Sequence, residues 1–523
     1  MAPVLESHAE VAKHVEFLNL DDTNDIQSEN RRHVLPEEII TTPLFSLPSR
    51  LVLAARYPGN GNEGNHIFPQ YGLIGHRAQD SSNSISGNSL VYMNSAAPWS
   101  TFICGSQGSG KSHTLSCLLE NYLFPSSPVG HLTAPLSGVI FHYDRFTGFS
   151  NTQICEAAYL CSSQIPVRVF VSPTNFLAMK KAYTNLPGLG DVSEKLTVEP
   201  MYLPVKGLNI SMMKTLMGIE SMAGQPLYVE MVMKILRDMA ITNQGRDTFD
   251  YALFKCILEE EEFMKTQQTP LRMRLDGLES FFEPGSVPGA KKNMKASARA
   301  ETQWTFAKGS LTIIDLSSPF IGPDDACALF NICISLFLGD QHQSGRILAF
   351  DEAHKFLTST SSEALDLTET LLSIVRQQRH LGTRVVIATQ EPTIAPSLLD
   401  LCNMTIIHRF TSPAWFQSIK AHLAGADADK SYTKDIVERD LFRRIVQLST
   451  GEALLFCPTA LLDVIRGNVE LGMQSKLHGS NSMIDNEEIT ADSHRPIQLG
   501  TNYAHIRIRK RVTADGGRSL IAQ

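Results

Sequence analysis

The chain has 523 residues, 43% of them hydrophobic and 19% charged, with a formal net charge of −8. That length and balance can bury one large core or two ordinary ones, and they exclude a disordered chain. The acidic balance excludes a surface that is basic throughout, although positive charge kept inside a ring is compatible with it.

In chain order, residues 1–93 read as a polar leader with room for a few short strands, interrupted by the turn-rich stretches Pro58–Asn65 and Gln79–Asn88. From Trp99 onward, apolar runs alternate with helical stretches. The runs are Thr101–Cys104, Gly138–Tyr143, Val167–Val171, Ser310–Asp315, Arg346–Phe350, Arg384–Ala388 and Met404–His408. Such alternation predicts an α/β fold with a mostly parallel sheet flanked by helices, here a core over 94–473. Several runs are apolar at consecutive positions, as strands covered on both faces should be.

A helical insertion is expected at about 211–300, with helices over Pro226–Ala240, Tyr251–Met264 and Leu271–Phe282. Its acidic run Glu259–Glu262 reads as a solvated helix end, and Pro284–Ala300 as an exposed basic loop. Residues 474–523 form a C-terminal extension: a polar loop, then a basic strand-like end, His505–Val512. No apolar run approaches the roughly eighteen residues of a membrane span, and Met1–Leu18 lacks a secretion-signal core. Nine cysteines lie scattered without a C-x-x-C pair, so neither a disulfide framework nor a zinc site is expected. These features predict an intracellular protein, cytoplasmic or nuclear.

Residues 105–112 read Gly-Ser-Gln-Gly-Ser-Gly-Lys-Ser, a complete G-x-x-x-x-G-K-[ST] loop between a strand-like run and the helical stretch Thr114–Tyr122. In that setting backbone N–H groups close around phosphate oxygens, and the helix points its positive end at the same anion. Gly105, Ser106, Gln107, Gly108, Ser109, Gly110, Lys111 and Ser112, with His113 in the first turn, are therefore the candidate ATP contacts. Lys111 would reach the β- and γ-phosphates, and the Ser112 hydroxyl would ligate Mg²⁺.

In Arg346-Ile-Leu-Ala-Phe-Asp351-Glu352-Ala-His354, four apolar residues end in an acid pair. A buried strand of this kind sets a carboxylate at its C-terminal edge, where open α/β sheets bind ligands. Asp351 would hold Mg²⁺ and Glu352 would act as general base on the attacking water. His354 is assigned a packing role. In the next strand, Thr389-Gln390 would place Gln390 beside the γ-phosphate. Arg376 and Arg379, at i and i+3, would share a helix face. That face is either solvated or supplies an arginine to a neighbouring subunit's phosphates.

These blocks together resemble the HerA–FtsK superfamily of P-loop motor ATPases, and HerA-like proteins most closely. The resemblance covers about Pro98 to Pro458. It includes the strand Val139–Asp144, Leu311–Leu316, Asp-Glu-Ala-His at 351–354, Arg379-x-x-Gly382, Thr-Gln-x-Pro at 389–392 and Ser449-Thr-Gly-Glu-Ala-Leu-Leu. It implies a RecA-like core, homohexameric ring assembly and ATP-driven movement along duplex DNA, in DNA processing that leaves room for a nuclease partner. The chain departs from the family in two places. The first hundred residues show no β-barrel, and Asp144 is followed by Arg145-Phe146 where the family often has Pro-x-Gly-Glu.

Basic residues for a pore are not marked. The clusters Lys291, Lys292, Lys295 and Arg299, and Arg507, Arg509, Lys510 and Arg511, are the candidates. Alternation would put Arg507 and Arg509 on one strand face, able to track phosphates or merely to form a polar sheet surface. The alternative to a DNA motor is an ATP-switched assembly, signalling or defence ATPase built on the same core. A small-molecule kinase is disfavoured by Glu352.

Overall fold

The computed structural model describes residues 37–57, 67–78, 86–125, 127–148, 152–190, 194–205, 208–216, 227–242, 249–261, 263–284, 303–339, 345–358, 361–392, 394–423, 434–466 and 494–516. The start of the leader, the loop Pro58–Asn65 and the basic residues Lys291, Lys292, Lys295 and Arg299 lie outside the described residues.

The first strands in the chain are β1 (Leu44–Ser46), β2 (Tyr71–Arg77), β3 (Leu90–Asn94), β4 (Ser100–Cys104), β5 (Gly130–His131), β6 (Ser137–His142), β7 (Val167–Val171) and β8 (Leu196–Pro200). They are followed by β9 (Leu311–Asp315), β10 (Arg346–Phe350), β11 (Thr383–Thr389), β12 (Met404–Ile407), β13 (Glu452–Phe456), β14 (Leu461–Arg466), β15 (His494–Gln498) and β16 (Ala504–Ile508). Every apolar run predicted after Trp99 is therefore a strand, shifted by a residue at most.

The strands form one sheet, in the order β15-β14-β1-β3-β2-β16-β13-β12-β4-β11-β10-β6-β9-β7-β8, with β5 paired to β2. From β12 to β8 all neighbours are parallel. The remaining pairs are antiparallel except β1 with β14. Strands from both flanks of the core continue this sheet: β16 lies between β13 and β2, joining the C-terminal extension to the leader's strands.

Burial explains the runs. β4, β6, β10, β11 and β12 are buried at every position. Successive residues feed opposite cores, as the pleat requires. Phe102, Phe141 and Phe350 join one cluster with the helices Pro323–Gly339 and Ser362–Arg376. Ile103, Ile140 and Ala349 join another with the helix Lys111–Leu123.

The order β12-β4-β11-β10-β6 places β11 between the strand that delivers the phosphate loop and the strand that ends in the acid pair. This is an α/β fold with a RecA-like P-loop core.

The helices Ile210–Leu216, Leu227–Thr242, Tyr251–Glu260 and Lys265–Glu279 fall between β8 and β9. They bury Met213, Val232, Leu236, Phe254 and Leu271 in the first cluster. Asp250 caps the third by accepting from the N–H groups of Ala252 and Leu253. Glu259 and Glu260 are exposed at that helix's end. Among the described residues no helix is long and apolar enough to cross a membrane, and all nine cysteines are free.

The basic end of the chain departs from simple alternation. Arg507 is exposed, but β16 stops at Ile508 and Arg509 turns inward. Its guanidinium donates to Leu73 O at 2.7 Å, Glu120 Oε2 at 2.7 Å, Asn121 Oδ1 at 3.0 Å and Cys117 O at 3.1 Å. A planar fork of donors is satisfied by such a convergent set in a way that water on an open strand face does not match.

Candidate active site

The phosphate loop joins β4 to the helix Lys111–Leu123. Gly110 starts that helix at φ 113°, where a β-carbon is disfavoured, and no side chain caps it. The first-turn N–H groups are thus left for an anion. At Gly105 an added β-carbon would lie 2.6 Å from His408 Cβ and 2.7 Å from Ser109 Oγ, so only glycine fits. Gln107 and Gly108 form the exposed tip, whereas Ser109 is buried with no partner for its hydroxyl. Lys111 is buried, and its Nζ folds back to donate to Ser106 O at 3.1 Å. Burial lowers its pKa, opposed by the charges of Glu352 and Asp351.

The end of β12 and the turn before β13 support the loop from below. Ser106 donates through N and Oγ to Arg409 O at 2.9 and 2.8 Å, and Gly451 N donates to Ser109 O at 3.3 Å. Fully buried His408 places Nδ1 2.9 Å from Glu452 O and Nε2 2.9 Å from Thr114 Oγ1. Burial lowers its pKa to about 4, so the ring is neutral. The carbonyl partner can only accept, which fixes the proton on Nδ1 and leaves Nε2 to accept from Thr114. In the sequence His408 reads only as a strand end. The signal was a polar residue closing an apolar strand, and it does not point to the loop.

Asp351 and Glu352 leave β10 buried. Glu352 has φ 53°, the one positive value among described residues other than glycine. This costs backbone energy and is tolerated where surrounding contacts fix the residue. Here the contact is explicit: Gln390 Nε2 lies 2.9 Å from both Oε1 and Oε2 of Glu352. His354 Nδ1 lies 3.5 Å from Glu352 Oε2, which puts His354 beside the acid pair and not simply in packing. Burial holds its pKa down against the Glu352 charge. Burial first, and then Glu352, raise that of Asp351, whose Oδ2 lies 3.8 Å from His142 Nδ1.

A cavity of about 250 Å³ opens here, lined by Ser112, His142, Gln153, Glu156, Asp351, Glu352 and Gly516, among others. Ser112 and Asp351 offer hydroxyl and carboxylate oxygens, the donors Mg²⁺ takes. A buried carboxylate raised above its ordinary range is one that a cation would stabilise. The residues present therefore fit a phosphate-bound Mg²⁺.

The C-terminal segment forms part of this wall. Arg511 Nη1 pairs with Glu156 Oε1 at 2.8 Å, yet burial still pushes the Glu156 carboxyl up to about 7. The His113 ring is held by the same segment, with Nε2 2.8 Å from Arg509 O and Nδ1 3.5 Å from Asp515 Oδ2.

Arg376 and Arg379 are not brought to this site. The helix Ser362–Arg376 ends at Gln377 and a second, Gln378–Leu381, follows, so the two arginines stand on separate helices. Both are exposed, and Arg379 pairs with Glu37 at 3.2 Å. The first helix is about 22 Å long, at 1.5 Å per residue, and leads from the C-terminal side of β10 to the N-terminal edge where β11 begins. Asp144 is also used locally: it accepts from Lys355 Nζ at 3.0 Å and Thr147 Oγ1 at 3.1 Å, and its N–H donates to Ser317 Oγ at 2.8 Å.

No family model and no curated protein matches this sequence. Among solved structures the chain is similar to VirB4 of Thermoanaerobacter pseudethanolicus, at 11% identity and a TM-score of 0.47, over 84% of this chain and 97% of that one. It is also similar to the genome packaging NTPase B204 from Sulfolobus turreted icosahedral virus 2 in complex with ATP-gammaS. That match has 8% identity and a TM-score of 0.27, over 70% of this chain and 93% of that one.

Proposed function

We propose that the chain is a Mg²⁺-dependent ATP hydrolase and works as a motor of the HerA–FtsK kind, a homohexameric ring on duplex DNA. The observation that carries the hydrolase reading is the two-point contact of Gln390 with Glu352, on the cavity wall that Ser112 and Asp351 share. A kinase of small molecules has no use for a second carboxylate held ready for water.

In this reading Lys111 leaves Ser106 and, with the loop N–H groups, binds the β- and γ-phosphates. Ser112 and Asp351 hold Mg²⁺, which supplies charge to neutralise the phosphate oxygens. Glu352 accepts the proton of a water whose oxygen bonds the γ-phosphorus while the bridging oxygen departs with ADP. Gln390 keeps that carboxylate aimed and meets the γ-phosphate at the end of β11.

The motor reading is supported by the resemblance to HerA-like proteins and by the two arginines. Placed before the N-terminal end of β11, opposite the strand ends that carry the phosphate loop, Arg376 and Arg379 serve a neighbouring subunit's nucleotide or none. One observation favours the second reading, an assembly ATPase that does not move on DNA: burial of Arg509 and Arg511 removes two cations from any nucleic-acid face.

Native mass with a non-hydrolysable ATP analogue, with and without duplex DNA, separates the two when phosphate release from ATP is followed in parallel samples of the same protein. The motor gives six-chain rings and hydrolysis accelerated by DNA. Nucleotide-dependent assembly with a rate indifferent to DNA would favour the second reading, and a monomer under all conditions would contradict the motor.

A further inference from the structure

Three side chains that no sequence motif unites meet beside the acid pair. His142 closes β6, Asp351 follows its parallel neighbour β10, and Cys155 precedes the short helix Glu156–Ser162. A ring nitrogen, a thiol sulfur and a carboxylate oxygen from the three lie within 4.8 Å of one another, all buried. Independently, His142 is 1% exposed and neither of its ring nitrogens has a hydrogen-bond partner. Buried imidazoles are normally satisfied, so one aimed unsatisfied at a carboxylate and a thiol calls for a ligand.

We propose that His142, Cys155 and Asp351 bind a thiophilic divalent cation of the Zn²⁺ type, with its fourth position open to the cavity beside Ser112 and Glu352. Nitrogen, sulfur and oxygen donors in a three-ligand set with one open position are characteristic of Zn²⁺. Mg²⁺ selects neither imidazole nor thiolate. Tetrahedral bonds of about 2.0–2.3 Å set ligand atoms roughly 3.3–3.7 Å apart. The His142–Asp351 edge, at 3.8 Å, is already near that spacing, and the third donor, within 4.8 Å of the others, closes by at most about 1.5 Å. On binding, the Cys155 S–H bond breaks, its proton passes to solvent and a sulfur–metal bond forms.

Asp351 cannot serve this cation and Mg²⁺ in full at once, so the Zn²⁺-type ion inhibits hydrolysis. This coupling, though not the binding, rests on the proposed function above.

The test uses the full chain, freed of metal by a chelator and without nucleotide, titrated with Zn²⁺ and separately with Co²⁺. Binding of one Zn²⁺ per chain is expected, with a thiolate-to-metal charge-transfer absorption for Co²⁺. Cys155→Ala abolishes that absorption, and His142→Gln weakens Zn²⁺ binding by at least about tenfold. His142→Gln also keeps the proposal testable if the cysteine variant fails to fold by circular dichroism. An unchanged absorption in Cys155→Ala, or a wild-type chain that binds no Zn²⁺, would overturn the site.

Phosphate release under Mg·ATP then tests the coupling. Zn²⁺ should inhibit the wild type and spare Cys155→Ala, whereas equal inhibition of both would overturn it. Zn²⁺ binding by a chain that never hydrolyses ATP would leave this site standing and remove the hydrolase reading alone.

Discussion

Gln390 Nε2 stands 2.9 Å from each carboxylate oxygen of Glu352, a contact made across the parallel pair β10 and β11. It joins the residue of strained backbone, Glu352, to the strand that lies between the phosphate loop and the acid pair. Hydrogen bonds to a charged group are worth about 1.5–3 kcal/mol, and each 1.4 kcal/mol is about a factor of ten in rate. Gln390→Ala should therefore lower kcat by roughly ten- to a hundredfold with little change in KM, measured by steady-state phosphate release. Normal kcat in that variant would remove Gln390 from the machinery.

His408 gives the loop's support a pH signature. Its pKa falls from 6.5 unfolded to about 4 folded, so the unfolded chain binds the extra proton between those values. Its contribution is complete above 6.5 and is lost as pH falls toward 4. The span corresponds to about 3 kcal/mol as an upper figure. Urea unfolding at pH 7 and pH 5 should show a smaller loss in His408→Gln than in the wild type. Glu156, raised to about 7, acts in the opposite direction but is common to both proteins and cancels in the comparison.

The buried pair of Arg509 and Glu120, at 2.7 Å, anchors the C-terminal segment to the phosphate-loop helix. Glu120 also accepts from the N–H groups of Val512 and Thr513 and from the Thr513 hydroxyl. Burial alone would raise its pKa, but Arg509 and Thr513 bring it below the ordinary value. Arg509→Met should cost about 3–5 kcal/mol in denaturant unfolding, because it strands a buried carboxylate. Adding Glu120→Gln should recover part of that loss; no recovery would mean that packing, not charge, sets the effect.

Arg376 and Arg379 precede the N-terminal end of β11, whereas the phosphate loop follows the C-terminal end of its parallel neighbour β4. In mixed assemblies, Arg376→Ala or Arg379→Ala subunits combined with Glu352→Gln subunits should regain phosphate release that neither has alone. Strictly additive loss would leave the arginines as surface residues.

The core was legible because its strands are covered on both faces, so Val139–Phe141 or Ile347–Phe350 had to be apolar at consecutive positions. The loop and acid pair were legible because their chemistry fixes short spacings. What pairs across the fold was not. Arg509 finds Glu120 389 positions away, and alternation instead suggested an outward face. His408 lies beneath the loop only because β12 pairs with β4. The cluster of His142, Cys155 and Asp351 arises from two neighbouring strand ends and the start of a short helix, with no ligand spacing in the sequence to mark it. Arg376 and Arg379 looked like one helical face because nothing in Arg-Gln-Gln-Arg marks the break at Gln377.

In the proposed reaction Glu352 activates water for attack on ATP held by the phosphate loop. This role is tested most directly by measuring nucleotide affinity and phosphate release together in the wild type and Glu352→Gln, with Mg²⁺ present. Glu352→Gln should bind ATP near-normally with turnover reduced by about 10²–10⁴, and Lys111→Ala should lose binding itself. Wild-type turnover in Glu352→Gln would contradict it.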